Sequence, residues 1–278
     1  MTKMTPEQKI RFLKICSQLK ENNPKMEWAD LRFLSLGDDE AVHLTQSLAG
    51  NTTLRALDLS NNQIGEIGAK AVADFVKNSS LKKLNFASNR LGNEGALALA
   101  RSLKGSSLQE LCLGDNQIGD MGVNAFAEAL KQNTSLTWLS FHGNQVGDNG
   151  AVALANSLNQ NKTLTLLSLF HNKVGEQGGQ AFVKVLDQNV AIQELFLQKN
   201  NVSENAQATI EQQLKLNRRL ARVSGGQAAM IDISDVEVGA TKQQFLTELR
   251  TKNPRLIVLD AENSLRTRVV ATPHCRCI

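Results

Sequence analysis

No stretch of 18 uninterrupted apolar residues occurs in the chain, so no transmembrane helix is expected. The opening residues, MTKMTPEQKIRFLKICSQLK, lack the apolar core of a secretory signal, which points to a cytoplasmic protein. Four cysteines, Cys16, Cys112, Cys275 and Cys277, are too few and too scattered for a disulfide framework, and imply a reducing compartment. The 31 basic and 27 acidic residues nearly balance and no Lys/Arg run dominates, so nucleic acid is not an expected partner. A Gly-rich phosphate loop, a Cys/His arrangement and a paired acid/base signature are all missing, which argues against an enzyme and against a cofactor. His142 and His171 have no evident third ligand, with His43 and His274 far away along the chain, so no metal is expected either.

What the chain does contain is a repeat. Aligned on a leading apolar residue, LRALDLSNNQIG (Leu54), LKKLNFASNRLG (Leu81), LQELCLGDNQIG (Leu108), LTWLSFHGNQVG (Leu136), LTLLSLFHNKVG (Leu164) and IQELFLQKNNVS (Ile192) follow one another at intervals of 27 or 28 residues. A worn copy, LRFLSLGDDEAV, begins at Leu31 with Asp39 where the others carry Asn. The alternation in Leu57-Asp58-Leu59 suits a short strand with one buried face. Asn62, Asn89, Asn116, Asn144, Asn172 and Asn200 fall where the chain leaves that strand, and a buried amide there can serve backbone groups of both signs. Gly65, Gly92, Gly119, Gly147 and Gly175 suit turns where a Cβ would be costly. Segments such as GAKAVADFVKN and GALALARSLKG then place apolar residues at three- and four-residue steps, the pattern of a helix with one inward stripe.

This L-x-x-L-x-L-x-x-N-x-L pattern resembles the leucine-rich repeat, and the 27–28-residue length with a following G-x-x-G-A resembles the ribonuclease-inhibitor-like subclass, also found in NOD-like receptor repeat domains. The resemblance implies an α/β fold: a right-handed solenoid of about seven repeats with a parallel sheet on the concave face and helices on the convex face. Strands about 4.8 Å apart and helices about 8–10 Å apart force such a stack to curve into a horseshoe. Its ends need caps. Residues 1–30 are expected to form an N-terminal capping helix, with Ile10, Leu13, Ile15 and Leu19 apolar, and 31–219 the repeats. Residues 220–263 form a divergent C-terminal capping segment, with TKQQFLTELRTK helical and RLIVLD strand-like, and 264–278 a flexible tail. NRRLARVSGG reads as the start of another repeat, with Asn217, Leu220 and Val223 at the expected offsets.

The outward columns of such a sheet change character along the solenoid. Before the second leucine stand Phe33, Ala56, Lys83, Glu110, Trp138, Leu166 and Glu194; between the leucines Ser35, Asp58, Asn85, Cys112, Ser140, Ser168 and Phe196. The next columns carry His142, Phe170 and Gln198, then Gly143, His171 and Lys199. Small and polar residues dominate until Trp138, after which Trp138, His142, Leu166, Phe170, His171 and Phe196 make an expected partner-binding patch, rimmed by Glu110, Glu194 and Lys199. The competing reading is that the C-terminal segment folds back over these rings. Cys112 reads as a small residue in a crowded sheet rather than a reactive thiol.

The terminal CRCI matches C-a-a-X in spacing, which makes Cys275 a candidate prenylation site. Arg276 and Cys277 are poorer than the usual aliphatic pair, and an unmodified tail is the alternative. A lipid there, helped by Arg266, Arg268 and Arg276, would give peripheral membrane attachment. The functional expectation is a monomeric, non-enzymatic scaffold for a protein partner. A stand-alone repeat protein is similar to the leucine-rich repeat effectors of intracellular bacteria, which implies a host protein as partner and the host cytosol as setting. The alternative is regulation of a small GTPase, by similarity to Ran GTPase-activating proteins, although no residue here matches a motif that could be carried over.

Overall fold

The computed structural model describes residues 3–225, 230–233, 239–252 and 256–259. Helix α1 (Pro6–Lys20) begins with a capping box, in which Thr5 Oγ1 accepts from the Gln8 N–H and Gln8 Oε1 accepts from the Thr5 N–H. Strands and helices then alternate: β1 (Trp28–Asp30), α2 (Asp38–Ser47), β2 (Ala56–Asp58), α3 (Glu66–Lys77), β3 (Lys83–Asn85), α4 (Gly92–Ser102), β4 (Glu110–Cys112), α5 (Asp120–Leu130), β5 (Trp138–Ser140), α6 (Asp148–Ser157), β6 (Leu166–Ser168), α7 (Glu176–Leu186) and β7 (Glu194–Phe196). These seven strands make one parallel sheet in chain order. The middle residue of each strand from β2 onward, Leu57 through Leu195, is buried in a continuous core with the helices' inner faces. An α/β solenoid is the result.

Two expectations fail at the N-terminal end. Trp28 pairs with Ala56, so Trp28 and not Phe33 heads the first outward column, and the first repeat begins before residue 31. Ala29 occupies the leucine position and buried Leu34 the asparagine position, while Phe33 and Ser35 are turn residues with φ of 59° and 56°. Helix α1 buries Phe12, Cys16 and Leu19 and leaves Ile10 and Leu13 exposed. Phe12, Cys16 and Leu19 lie at four- and three-residue steps on one face, and that face meets the first repeat.

The asparagines act as a ladder. Asn144 donates to the Leu113 and Phe141 carbonyls at 2.9 and 3.0 Å, and its Oδ1 accepts the Asn116 and Ile118 N–H at 3.0 and 2.9 Å. A second ladder, unseen in the sequence, joins helix starts. Asp38 Oδ1 accepts the N–H of Gly65 and Gly68 in the next repeat, and Asp148 does the same for Gly175 and Gly178, placing anionic oxygen at a helix N-terminus. Gly178 is required by closeness, since a Cβ there would lie 2.7 Å from Ala151 Cβ and 2.7 Å from Val174 Cγ1. We expect Gly178→Ala to destabilise the protein by about 2 kcal/mol through overpacking, measured by urea unfolding; a neutral result would show that the helices separate at no cost.

Beyond β7 the period breaks. A strand 28 residues after β7 would occupy 222–224, but α8 (Glu204–Ser224) runs through them as a 21-residue helix. The eighth repeat suggested by Asn217, Leu220 and Val223 therefore has no strand. Strand β8 (Met230–Asp232), helix α9 (Ala240–Lys252) and strand β9 (Ile257–Leu259) follow, with β8 and β9 pairing in parallel as a separate sheet. Ile231, Ile233, Leu246, Leu256 and Val258 pack on Leu216, Leu220 and Val223 of α8. The tail, with Cys275, lies outside the described residues.

Lys242 of α9 is fully buried, and its Nζ donates to Gln213 Oε1. Burial lowers its pKa to about 8, opposed by the charge of Asp187. A lysine whose folded pKa lies below its unfolded value costs stability while both states are protonated, and the cost fades as pH rises from about 8 to about 10.4. The stability of the wild type relative to Lys242→Met should therefore rise across that window, by an amount on the order of 3 kcal/mol. A pH-independent difference in paired denaturation curves would contradict the buried charge.

Candidate docking site on the concave sheet

Residues on either side of each buried strand leucine face outward, and the parallel register sets them side by side. Trp138 lies opposite Glu110 and Leu166, Leu166 opposite Glu194, and Ser168 opposite Phe196. Trp138, Ser140, His142, Leu166, Ser168, Phe170 and Phe196, with Cys112 at one side, line an open hollow of about 410 Å³. Trp138, His142, Leu166 and Phe170 are half-buried, Phe196 is 38% exposed, and His171 is exposed. The structure thus brings the proposed apolar residues together around a polar floor. His171 packs against Phe170 with ring centroids 6.3 Å apart.

The rim differs from expectation at one point. Glu110 is not a free rim charge, because its carboxylate meets Lys83 Nζ at 2.7 Å on the neighbouring strand. Glu194 and Lys199 are exposed. Lys199 Nζ sits 5.2 Å from the Phe170 centroid, a cation–π contact worth about 0.5–1 kcal/mol at an exposed site.

His142 is clamped. Its Nε2 lies 3.3 Å from Asp115 Oδ2 and its Nδ1 3.1 Å from Ser140 Oγ. The ring occupies the space above Gly114, where a Cβ would lie 1.8 Å from His142 Cε1. The Asp115 carboxylate in turn fills the space beside Gly143, whose φ of +65° also favours glycine. The Asp–His–Ser order invites comparison with a hydrolytic relay, but Ser140 lies on the floor of the hollow and is only 2% exposed. The chain of contacts orients the imidazole instead. Burial raises the Cys112 pKa, against smaller opposing hydrogen bonds from Gly114 and Ser140, so its thiol stays protonated. Among the described residues no group of three or more His, Cys, Asp or Glu side chains could hold a metal ion.

Trp28 escaped the sequence reading. It is 58% exposed and shares a column with Trp138, and both line a second hollow floored by Ala56, Asp58, Asn85 and the Lys83–Glu110 pair. Stepping 28 residues back from Ala56 would have found it. The described C-terminal residues do not cover the rings: their buried side chains pack on α8, with Val190 beside them.

The family model described as Leucine Rich repeat matches residues 50–73, 77–100, 106–127, 132–155 and 160–183. No curated protein matches the chain in sequence. Among solved structures it is similar to actin-binding site 2 of leiomodin-1, at 19% identity and a TM-score of 0.41 over 78% of this chain and 94% of that one. A tropomodulin C-terminal domain of Caenorhabditis elegans matches at 14% identity and a TM-score of 0.38, over 78% and 99% of the two chains. An internalin of Listeria monocytogenes matches at 21% identity and a TM-score of 0.40, over 70% of this chain and 61% of that one.

Proposed function

Taking the chain as the leucine-rich repeat protein its sequence and fold make it, we propose that it is a non-enzymatic scaffold that docks a partner protein on the concave surface of β5–β7. One observation carries this reading. The core beneath the patch is already complete, with Leu139, Leu167 and Leu195 buried, yet Trp138, Leu166, Phe170 and Phe196 gather above it around an open hollow. Large apolar side chains clustered on a surface that folding does not need are the usual anchors of an interface. Glu194 and Lys199 at its rim supply charge of both signs for orientation.

In the same reading the protein acts in a host cytosol, where Cys16 and Cys112 remain free thiols, and Cys275 carries a prenyl group. Mass spectrometry of the C-terminal peptide from a eukaryotic expression host decides the last point, and an unmodified mass ends it. The docking proposal is tested by affinity capture from cytosolic lysate with the full chain and with Trp138→Ala/Phe170→Ala. A specific partner retained by the wild type and lost by the double variant is expected. Equal capture by both would move the interface elsewhere.

A further inference from the structure

We propose that the open edge of β7 binds an extended segment of another protein, which joins the sheet as an eighth parallel strand. The evidence is an interrupted hydrogen-bond series. In every earlier repeat, two N–H groups just past the strand donate to carbonyls of the next strand. Leu59, Phe86, Leu113, Phe141 and Leu169 donate to Asn85, Cys112, Ser140, Ser168 and Phe196 at 2.8–2.9 Å. Two residues later, Asn61, Ser88, Asp115, Gly143 and His171 donate to Ala87, Gly114, His142, Phe170 and Gln198, also at 2.8–2.9 Å. Leu197 and Lys199 come next in the two series, and among the described residues their N–H groups have no acceptor. These are open edge donors, set in a row of defined geometry that a further strand can pair.

Side chains cover the opposite edge of the same sheet. At β1, Arg11 Nη2 donates to the Asp30 carbonyl at 3.0 Å and Gln8 Nε2 to the Phe33 carbonyl at 2.8 Å, so α1 side chains stand in for a preceding strand. At β7, Arg218 Nη1 donates to the Gln193 carbonyl at 3.0 Å, which covers an acceptor and leaves the two donors. Nor do the described residues supply the missing strand, because 222–224 are the end of α8 and β8 and β9 pair with each other. The break leaves a trace in Asn217. Its amide donates to the Asn189 and Ile192 carbonyls, but its buried Oδ1 has no partner among the described residues. Asn189, one repeat earlier, accepts the N–H groups of Ala191 and Ile192 with the same atom, at the lead-in to a strand.

Beside the open edge lies a hollow of about 300 Å³ between Leu195, Leu197 and Gln198 on the sheet and Gln207, Ala208 and Ile210 on α8. The series defines its occupant as a segment of the pattern apolar–x–apolar–x. The carbonyls of the two x residues would accept from Leu197 and Lys199, the apolar side chains would enter the hollow, and the x side chains would lie beside Phe196.

Hydrogen exchange of the Leu197 and Lys199 amides, followed by NMR on the full chain, tests this. The probe is a synthetic peptide LTLLSLFHN, copied from residues 164–172, which the fold itself lays down as a strand, with a scrambled peptide as control. Both amides should exchange fast in the free protein and at least about tenfold more slowly with the peptide only. Ala208→Trp, an exposed position, should fill the hollow and abolish the protection without lowering Tm. The protection should persist in Trp138→Ala/Phe170→Ala, which separates this site from the concave patch. Slow exchange in the free monomer, protection that grows with protein concentration alone, no response to the peptide, or protection that survives in Ala208→Trp would each overturn the proposal.

Discussion

Replacing Asn116 by alanine lowers the unfolding free energy by about 3 kcal/mol. Asn116 is fully buried between two repeats. Its Nδ2 donates to the Phe86 and Gly114 carbonyls at 2.9 and 2.8 Å, and its Oδ1 accepts the Leu91 N–H at 3.2 Å. Truncation strands the Leu91 N–H, takes one of two donors from the Phe86 and Gly114 carbonyls, which keep Asn89 and Ser88, and opens a void. A stranded buried group costs about 1–3 kcal/mol. The same change at Asn200, half-buried in the last repeat, should cost less, because water can reach the groups it leaves. Chemical denaturation of both variants checks the order, with the m-value watched for loss of cooperativity between repeats. A loss below about 1 kcal/mol at Asn116 would mean that the ladder is replaceable by solvent.

Trp138→Ala and Phe170→Ala each weaken the partner complex by on the order of 2 kcal/mol, about 30-fold in Kd, with little change in Tm. Both rings stand on the outer face, so removing them empties no core. Phe141 provides the contrast. It is fully buried and packs edge-on against Phe126 with centroids 5.1 Å apart, so Phe141→Ala should cost about 3–5 kcal/mol of stability. Isothermal titration with the captured partner, alongside calorimetric unfolding, separates the two behaviours. Loss of stability at Trp138 equal to that at Phe141 would make Trp138 a core residue and remove the patch.

The repeats were legible because chain geometry fixes their period: strand, turn and helix together consume 27 or 28 residues, and leucine marks the buried positions. Legibility failed where a marker changed. Ala29 and Leu34 replaced the leucine and asparagine of the first repeat, which hid Trp28 from its column. At the far end, apolar residues three apart at Leu220 and Val223 suit a helix face as well as the lead-in to a strand, and α8 prevails by packing them against Ile231 and Leu246. The candidate patch was readable because Trp138, Leu166 and Phe170 occupy columns already defined by the period. Contacts between repeats were not, among them the Lys83–Glu110 pair and the His142 ring over Gly114, since they depend on which side chains the register sets opposite.

The most direct measurement is carbene footprinting of the full chain, free and bound to its captured partner, read residue by residue. The account predicts that Trp138, Phe170 and Phe196 are labelled in the free protein and shielded in the complex, while exposed Ile67 and Met121 outside the patch keep their labelling. Rings that are shielded before any partner is added, or that stay labelled in the complex, would contradict it.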